Sequence, residues 1–293
     1  MKLLTFDVGN GIQAGLKVGT NVLALHGASD GQLPADLTSL LENDEFLPRA
    51  RELAAIVQKG PEADIARHLW PLDEVTLHAP VPRPGKIVCL GLNYGDHAAE
   101  SGAEIPSEPV VFCKATTSVI GPGEPIIRPA VSEKVDYEVE FAAVVGKPTK
   151  NVSVEEAMPQ IAGYTIICDV SARDYQHEKP GGQWYLGKSF DTFCPMGPWV
   201  VTKDEIPDPH QLSLSCDVNG ETRQSSNTSQ LIFTIPEIVS YLSDVFTLEP
   251  GDVIATGTPS GVGAARTPPT FLQPNDTVRC RVDQIGQLEN PVI

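Results

Sequence analysis

Residues 136–140 read Asp-Tyr-Glu-Val-Glu and lead into the apolar run Phe141-Ala142-Ala143-Val144-Val145. Glu138 and Glu140 lie two apart, so on a strand their carboxylates leave the same face. Like charges on a half-buried strand repel each other and lose hydration unless something positive sits between them. Two readings follow. The pair is either a solvated face of a surface strand or a seat for a hard divalent cation, since carboxylate oxygens suit Mg²⁺, Mn²⁺ or Ca²⁺. A second apolar run, Tyr164-Thr165-Ile166-Ile167-Cys168, ends in Asp169. With Asp169, the two glutamates would offer three oxygen ligands and leave open positions for water and substrate, which is how Mg²⁺ is usually held.

His97 and Glu100 are three apart and face the same way on one helical turn. A carboxylate beside an imidazole fixes its tautomer and raises its basicity, as a general base requires; the other reading is a polar surface turn. The small, proline-punctuated stretch 101–109 that follows has the composition of a mobile lid or of an ordinary loop. Gly182 to Ser189 matches the Walker A spacing, but no apolar strand precedes it, and Pro195 and Pro198 follow closely, so it does not read as a phosphate loop. Lys188 within it reads as a cation for an anionic substrate or enolate, or as a surface lysine. Gly257-Thr258-Pro259-Ser260-Gly261-Val262-Gly263 allows close backbone approach, and Thr258 could donate to a substrate carboxylate. It reads equally as a structural turn.

These residues need a frame. Short strand-like runs at Leu3–Val8 and Val22–Leu25, then a helical pattern through Leu47, Ala50, Leu53, Ala54 and Val57, suggest a small α/β unit over residues 1–80. Pro80, Pro82 and Pro84 read as a linker, which puts a second domain at 81–293. That part is mostly short strands, expected at Lys86–Leu92, Val110–Phe112, Val139–Val145, Tyr164–Cys168, Trp199–Thr202, Leu212–Val218, Asp252–Thr256 and Thr277–Val282. Asn219-Gly220 signals a hairpin. Ser153 with Glu156 forms a capping box for a helix over Val154–Ile161, and Pro236 opens another with Ile235, Ile238, Val239, Leu242 and Val245 on one face. The fold class is mixed α/β and β-rich.

The chain has 293 residues and a formal net charge of −17. That balance argues against a nucleic-acid partner, which needs a basic footprint. No apolar stretch suits a membrane span. The six cysteines lack metal-site spacing and read as reduced and buried. The first residues lack a signal core or presequence character, so a cytoplasmic location is expected.

Taken in order, several motifs resemble the fumarylacetoacetate hydrolase superfamily from about Arg83 to Ile293. They are Gly91-Leu92-Asn93-Tyr94 with His97 and Glu100, Phe112-Cys113-Lys114, Asp136 to Glu140, Asp169 to Asp174, Gly187 to Phe193, and Gly257 to Gly263. Asp208-Pro209-His210 and the stretch Gln224 to Thr228 are shared with a subgroup that also has a small N-terminal domain. The resemblance implies a mixed β-sandwich roll, a homodimer, and a Mg²⁺ or Mn²⁺ ion on Glu138, Glu140 and Asp169. It implies a catalytic dyad of His97 and Glu100 on a lid, with Lys188 as the active-site lysine and Arg173, Gln176 and Thr258 lining the substrate pocket. The implied substrate is a small 2-oxo acid handled through a metal-stabilised enolate. C–C hydrolysis of an acylpyruvate or fumarylacetoacetate-like compound ranks first. Oxaloacetate keto–enol tautomerisation, dienedioate isomerisation and oxaloacetate decarboxylation are alternatives, and a non-catalytic binding module is the remote one. The family's animal members leave a mitochondrial location open.

Overall fold

Val139–Val145 is buried along its whole length because both of its faces are covered. In the computed structural model, which describes residues 1–43 and 45–293, Val139, Phe141, Ala143 and Val145 enter one core, and Ala142 and Val144 enter another. A strand packed on two sides reads as a continuous apolar run rather than an alternating one. The strand pairs antiparallel with Ile161–Cys168 on one side and with Val253–Ala255 on the other. Ile87–Gly91 joins Val253–Ala255 in parallel, and Val110–Lys114 closes that edge.

The remainder of this large sheet comes from the first eighty residues. Lys2–Asp7, Gln13–Val18, Asn21–Ala24 and Leu69–Pro71 form an antiparallel meander. Its first strand pairs with Cys194–Thr202, with Lys2 opposite Val201, and that strand pairs in turn with Ile161–Cys168. The sheet is therefore continuous across Pro80–Pro84. The expected helix through Leu47 to Val57 runs Phe46–Lys59 and buries Ala50 and Leu53.

A second sheet of four strands, in the order Glu221–Asn227, Ser213–Val218, Thr277–Val282, Gly286–Pro291, packs over the first. Leu214, Cys216, Cys280 and Val282 meet Phe141, Tyr164 and Ile166 in the shared core. Asn219-Gly220 makes the expected turn, both residues at positive φ, as a two-residue hairpin loop requires. The helix Ile235–Val245 has a full capping box from Thr234 and Glu237 and turns Ile235, Ile238, Val239 and Leu242 inward. Among the described residues, no helix is long and apolar enough to cross a membrane.

Three expected elements differ. The helix from Val154 ends at Ala157 and tightens into a 3₁₀ turn over Met158–Gln160, because Pro159 lacks the N–H that an α-helix interior needs. Ile161 then begins the next strand, three residues earlier than expected. The strand ending at Thr202 starts at Cys194, earlier than its prolines suggested.

Candidate active site

Asp169 follows Cys168, and Cys168 sits opposite Val139 in the strand register. That pairing brings the acid at the end of one strand beside the two acids of its neighbour. Asp169 N–H also donates to Glu138 O at 2.9 Å. Carboxylate oxygens of Glu138, Glu140 and Asp169 lie within 4.8 Å of one another, and all three residues are buried. Glu138 stands just ahead of the strand, which runs Val139–Val145 as expected, and Glu140 lies within it.

Buried cations surround the cluster. Lys188 Nζ is 2.8 Å from Glu138 Oε2 and 2.7 Å from Asp169 Oδ2. Arg173 Nε donates to Asp136 Oδ2 at 2.8 Å, Nη1 donates to Gln176 Oε1 at 2.9 Å, and Nη2 lies 2.7 Å from Glu138 Oε1. Lys114 Nζ is 2.5 Å from Asp169 Oδ1 and also donates to Val170 O and Lys188 O. Burial works against ionisation of Glu138, but Lys188 and Arg173 outweigh it and hold that carboxyl well below its usual range. Burial also opposes the charge on Lys188, and the Asp169 and Glu138 carboxylates override it, so its pKa rises.

Glu140 is the exception. Its carboxylate accepts a hydrogen bond from Gly257 N–H at 2.9 Å, and among the described residues it forms no ion pair. Burial, then the Asp169 and Glu138 charges, push its pKa far up. Asp136, Glu138, Glu140 and Asp169 thus face Lys114, Arg173 and Lys188, leaving one buried carboxylate without a counter-charge. An all-oxygen donor set with an uncompensated buried charge fits a hard divalent ion such as Mg²⁺ or Mn²⁺.

A cavity of about 450 Å³ opens onto Glu138, Lys188, Arg173 and Gln176. His97 and Glu100 stand in its wall, on the short helix Gly95–Ser101, with their side chains 17% and 24% exposed. His97 Nδ1 lies 3.3 Å from Glu100 Oε2. A carboxylate only accepts, so Nδ1 carries the proton and Nε2 is left as the base. Leu90, Leu92, Phe112 and Trp184 make the wall apolar, and the Phe112 and Trp184 rings meet edge to face at 5.6 Å. Thr258 lines the cavity, but its hydroxyl donates to Val139 O at 2.9 Å and accepts from Gln224, so its proton is engaged by backbone. Residues 182–189 form a turn and the short helix Trp184–Lys188, with no strand before them.

The glycine-rich stretch after Thr256 has a role that spacing did not reveal. Its backbone N–H groups bind three of the protein's own carboxylates. Gly257 holds Glu140, Gly261 holds Glu100 at 2.9 and 3.1 Å, and Gly263 with Ala264 holds Asp136 at 2.7 and 2.9 Å. Gly261 has φ +103°, and a Cβ there would lie 2.2 Å from Arg223 O. Gly261→Ala is therefore expected to displace the loop, release Glu100 and cut turnover by about 10-fold or more, with strain of order 1–3 kcal/mol. A lower melting temperature with reduced activity checks it; wild-type values for both would refute it.

Lys114 and Asp136 went unassigned in the sequence. Each lies inside a motif that was noticed, but a lysine ending an apolar strand reads as a snorkelling surface group. The burial of Lys114 is tertiary: its ammonium is held by the Asp169 carboxylate and by Val170 O and Lys188 O, all distant in sequence.

A family model described as fumarylacetoacetate (FAA) hydrolase C-terminal matches residues 86–293. Human "Oxaloacetate tautomerase FAHD2A, mitochondrial" is 42% identical over 100% of this chain and 92% of its own length. Its Xenopus laevis counterpart is 45% identical, over 95% of this chain and 84% of its own. Among solved structures, a fumarylacetoacetate hydrolase from Exiguobacterium antarcticum superposes with a TM-score of 0.83 at 34% identity, covering 100% of this chain and 99% of that one. Maleylpyruvate hydrolase from Sphingobium sp. SYK-6, in complex with manganese(II) and pyruvate, superposes at 0.80 with 31% identity and the same coverage. With a family model over most of its length and relatives this similar, the chain belongs to the fumarylacetoacetate hydrolase family and has that family's fold.

Proposed function

We propose that this protein is a divalent-cation-dependent tautomerase that interconverts the keto and enol forms of oxaloacetate. The observation that carries the reading is one cavity that meets the buried carboxylate cluster at Glu138 and is also lined by an oriented imidazole. The names carried by its relatives support the choice of reaction, and so the order suggested by sequence alone, with C–C hydrolysis first, is reversed.

Glu138, Glu140 and Asp169 would hold Mg²⁺ or Mn²⁺. When bound, the ion would polarise the C2 carbonyl of a 2-oxo acid and acidify the hydrogens on C3. His97 Nε2 takes a proton from C3 and returns it to the C2 oxygen; the reverse direction uses the same atoms. Glu100 keeps the imidazole in the tautomer that this needs. Lys188 stays charged and offsets negative charge on the substrate without giving up a proton. Arg173 and Gln176 border the bound acid, and Thr258 shapes its pocket. One base and no water suffice for this exchange, whereas hydrolysis must also admit and activate water. The apolar walls favour the first.

Following the enol absorbance of oxaloacetate tests the reading. The protein should accelerate its decay, chelator should abolish the effect, and Mn²⁺ or Mg²⁺ should restore it. Faster release of pyruvate from an acylpyruvate, with oxaloacetate unaffected, would return hydrolysis to first place.

A further inference from the structure

The strand Glu221–Asn227 is polar throughout and lies at the edge of the four-stranded sheet, yet it enters the candidate site twice. Its register slips beside Ser213–Val218: Gln224 faces Cys216 and Thr222 faces Asp217, so Arg223 is an extra residue. A bulge of this kind bends the strand and re-aims the side chains next to it.

Gln224 is 1% exposed. Its Oε1 accepts from Val139 N–H at 2.9 Å, and its Nε2 donates to Thr258 Oγ1 at 2.8 Å and Pro259 O at 2.9 Å. Thr258 Oγ1 donates to Val139 O at 2.9 Å, which closes a ring. Val139 is the residue between Glu138 and Glu140, so both of its peptide groups are fixed by this ring. Two residues further on, on the same face of the strand, Ser226 Oγ donates to Asp96 Oδ2 at 2.5 Å. Asp96 belongs to the helix Gly95–Ser101, which also carries His97 and Glu100.

We propose that this bulged edge strand sets the distance between the base and the carboxylate cluster. Gln224 is the positioning residue for the cluster, and Ser226, through Asp96, is the positioning residue for the dyad helix. Neither touches the reacting atoms. The assignment rests on the proposed function, and it gives Gln224 and Ser226 a physical role within the stretch Gln224 to Thr228.

The test uses the full chain with Gln224→Met, Ser226→Ala and Ser226→Thr. Mn²⁺ affinity is read by the EPR signal of free ion, turnover by enol absorbance, and folding by circular dichroism. Gln224→Met leaves Val139 N–H unpaired and is expected to weaken Mn²⁺ binding by about 10-fold, the lower end of what outer-shell changes do. Ser226→Ala should bind Mn²⁺ as the wild type does, with kcat down about 10-fold and KM little changed. Ser226→Thr, which keeps the hydroxyl, should recover kcat. A folded Gln224→Met with wild-type Mn²⁺ affinity, or Ser226→Ala with wild-type kcat, overturns the proposal. If Gln224→Met does not fold, the Ser226 variants decide alone. A wild type that binds Mn²⁺ but leaves oxaloacetate untouched defeats the tautomerase reading instead, and the Gln224 arm still decides this one.

Discussion

Glu140→Gln is expected to melt at a higher temperature than the wild type in chelator, and to lose the rise that Mn²⁺ gives the wild type. The opposite signs come from one side chain. Without an ion, Glu140 is buried among the like charges of Asp169 and Glu138. Its folded pKa lies far above the unfolded value. A carboxyl shifted in that direction contributes stability below its unfolded pKa and loses it as pH rises through the folded one. At neutral pH the ion-free protein therefore carries a penalty that a neutral amide removes. Glu138 is shifted the other way, and its contribution is complete above the ordinary carboxylate range. The difference in melting temperature between wild type and Glu140→Gln in chelator should therefore widen from about pH 5 to pH 8. With Mn²⁺ at about 100 times its Kd, the wild type should gain roughly 2.7 kcal/mol, which is several degrees for a chain of this size. The variant should gain little. An ion-dependent rise in Glu140→Gln equal to that of the wild type would remove Glu140 from the metal site.

His97→Ala should lose about 10²- to 10⁴-fold in kcat, the usual range for a positioned general base, while still binding Mn²⁺. The imidazole contacts Glu100, and Glu100 is held by Gly261 N–H; the cluster is held separately by Lys188, Lys114 and Arg173. Removing the ring therefore removes a base and leaves the carboxylates in place. Loss of turnover together with loss of Mn²⁺ binding would mean that the dyad and the cluster are one structural unit, contrary to this assignment. Turnover at the wild-type rate would take the base role away from His97.

What could be read from the sequence depended on burial. Val139–Val145 was plain because both faces are packed, and Asp169 stood out as an acid closing a run of apolar residues. His97 and Glu100 were visible as a helical pair. The strand Cys194–Thr202 was only half seen, because Pro195, Gly197 and Pro198 look like turn residues and only the pairing with Ile161–Cys168 and Lys2–Asp7 makes them strand. Glu221–Asn227 offered no apolar alternation, and the bulge at Arg223 breaks a count by twos from the Asn219-Gly220 turn, so no local signal marked Gln224 as buried. The use of Thr258 was the subtlest point. A hydroxyl beside a glycine turn suggests a ligand contact, but its proton goes to Val139 O, a partner more than a hundred residues away. Such choices depend on which distant backbone groups would otherwise be unsatisfied, and local spacing carries no record of them.

The pairing of Lys2 with Val201 has a consequence for synthesis. Lys2–Asp7 can zip onto Gln13–Val18 at once and, along Thr5–Asp7, onto Thr76–His78 soon after, but Lys2 and Leu3 have no mate on that second border until Val200 and Val201 have been made. At about 5–20 residues per second that is a wait of roughly 10–40 s. Through that interval the Lys2–Leu3 end of the border stays open, and an unpaired strand edge is the kind of surface that sticks to neighbouring polypeptides.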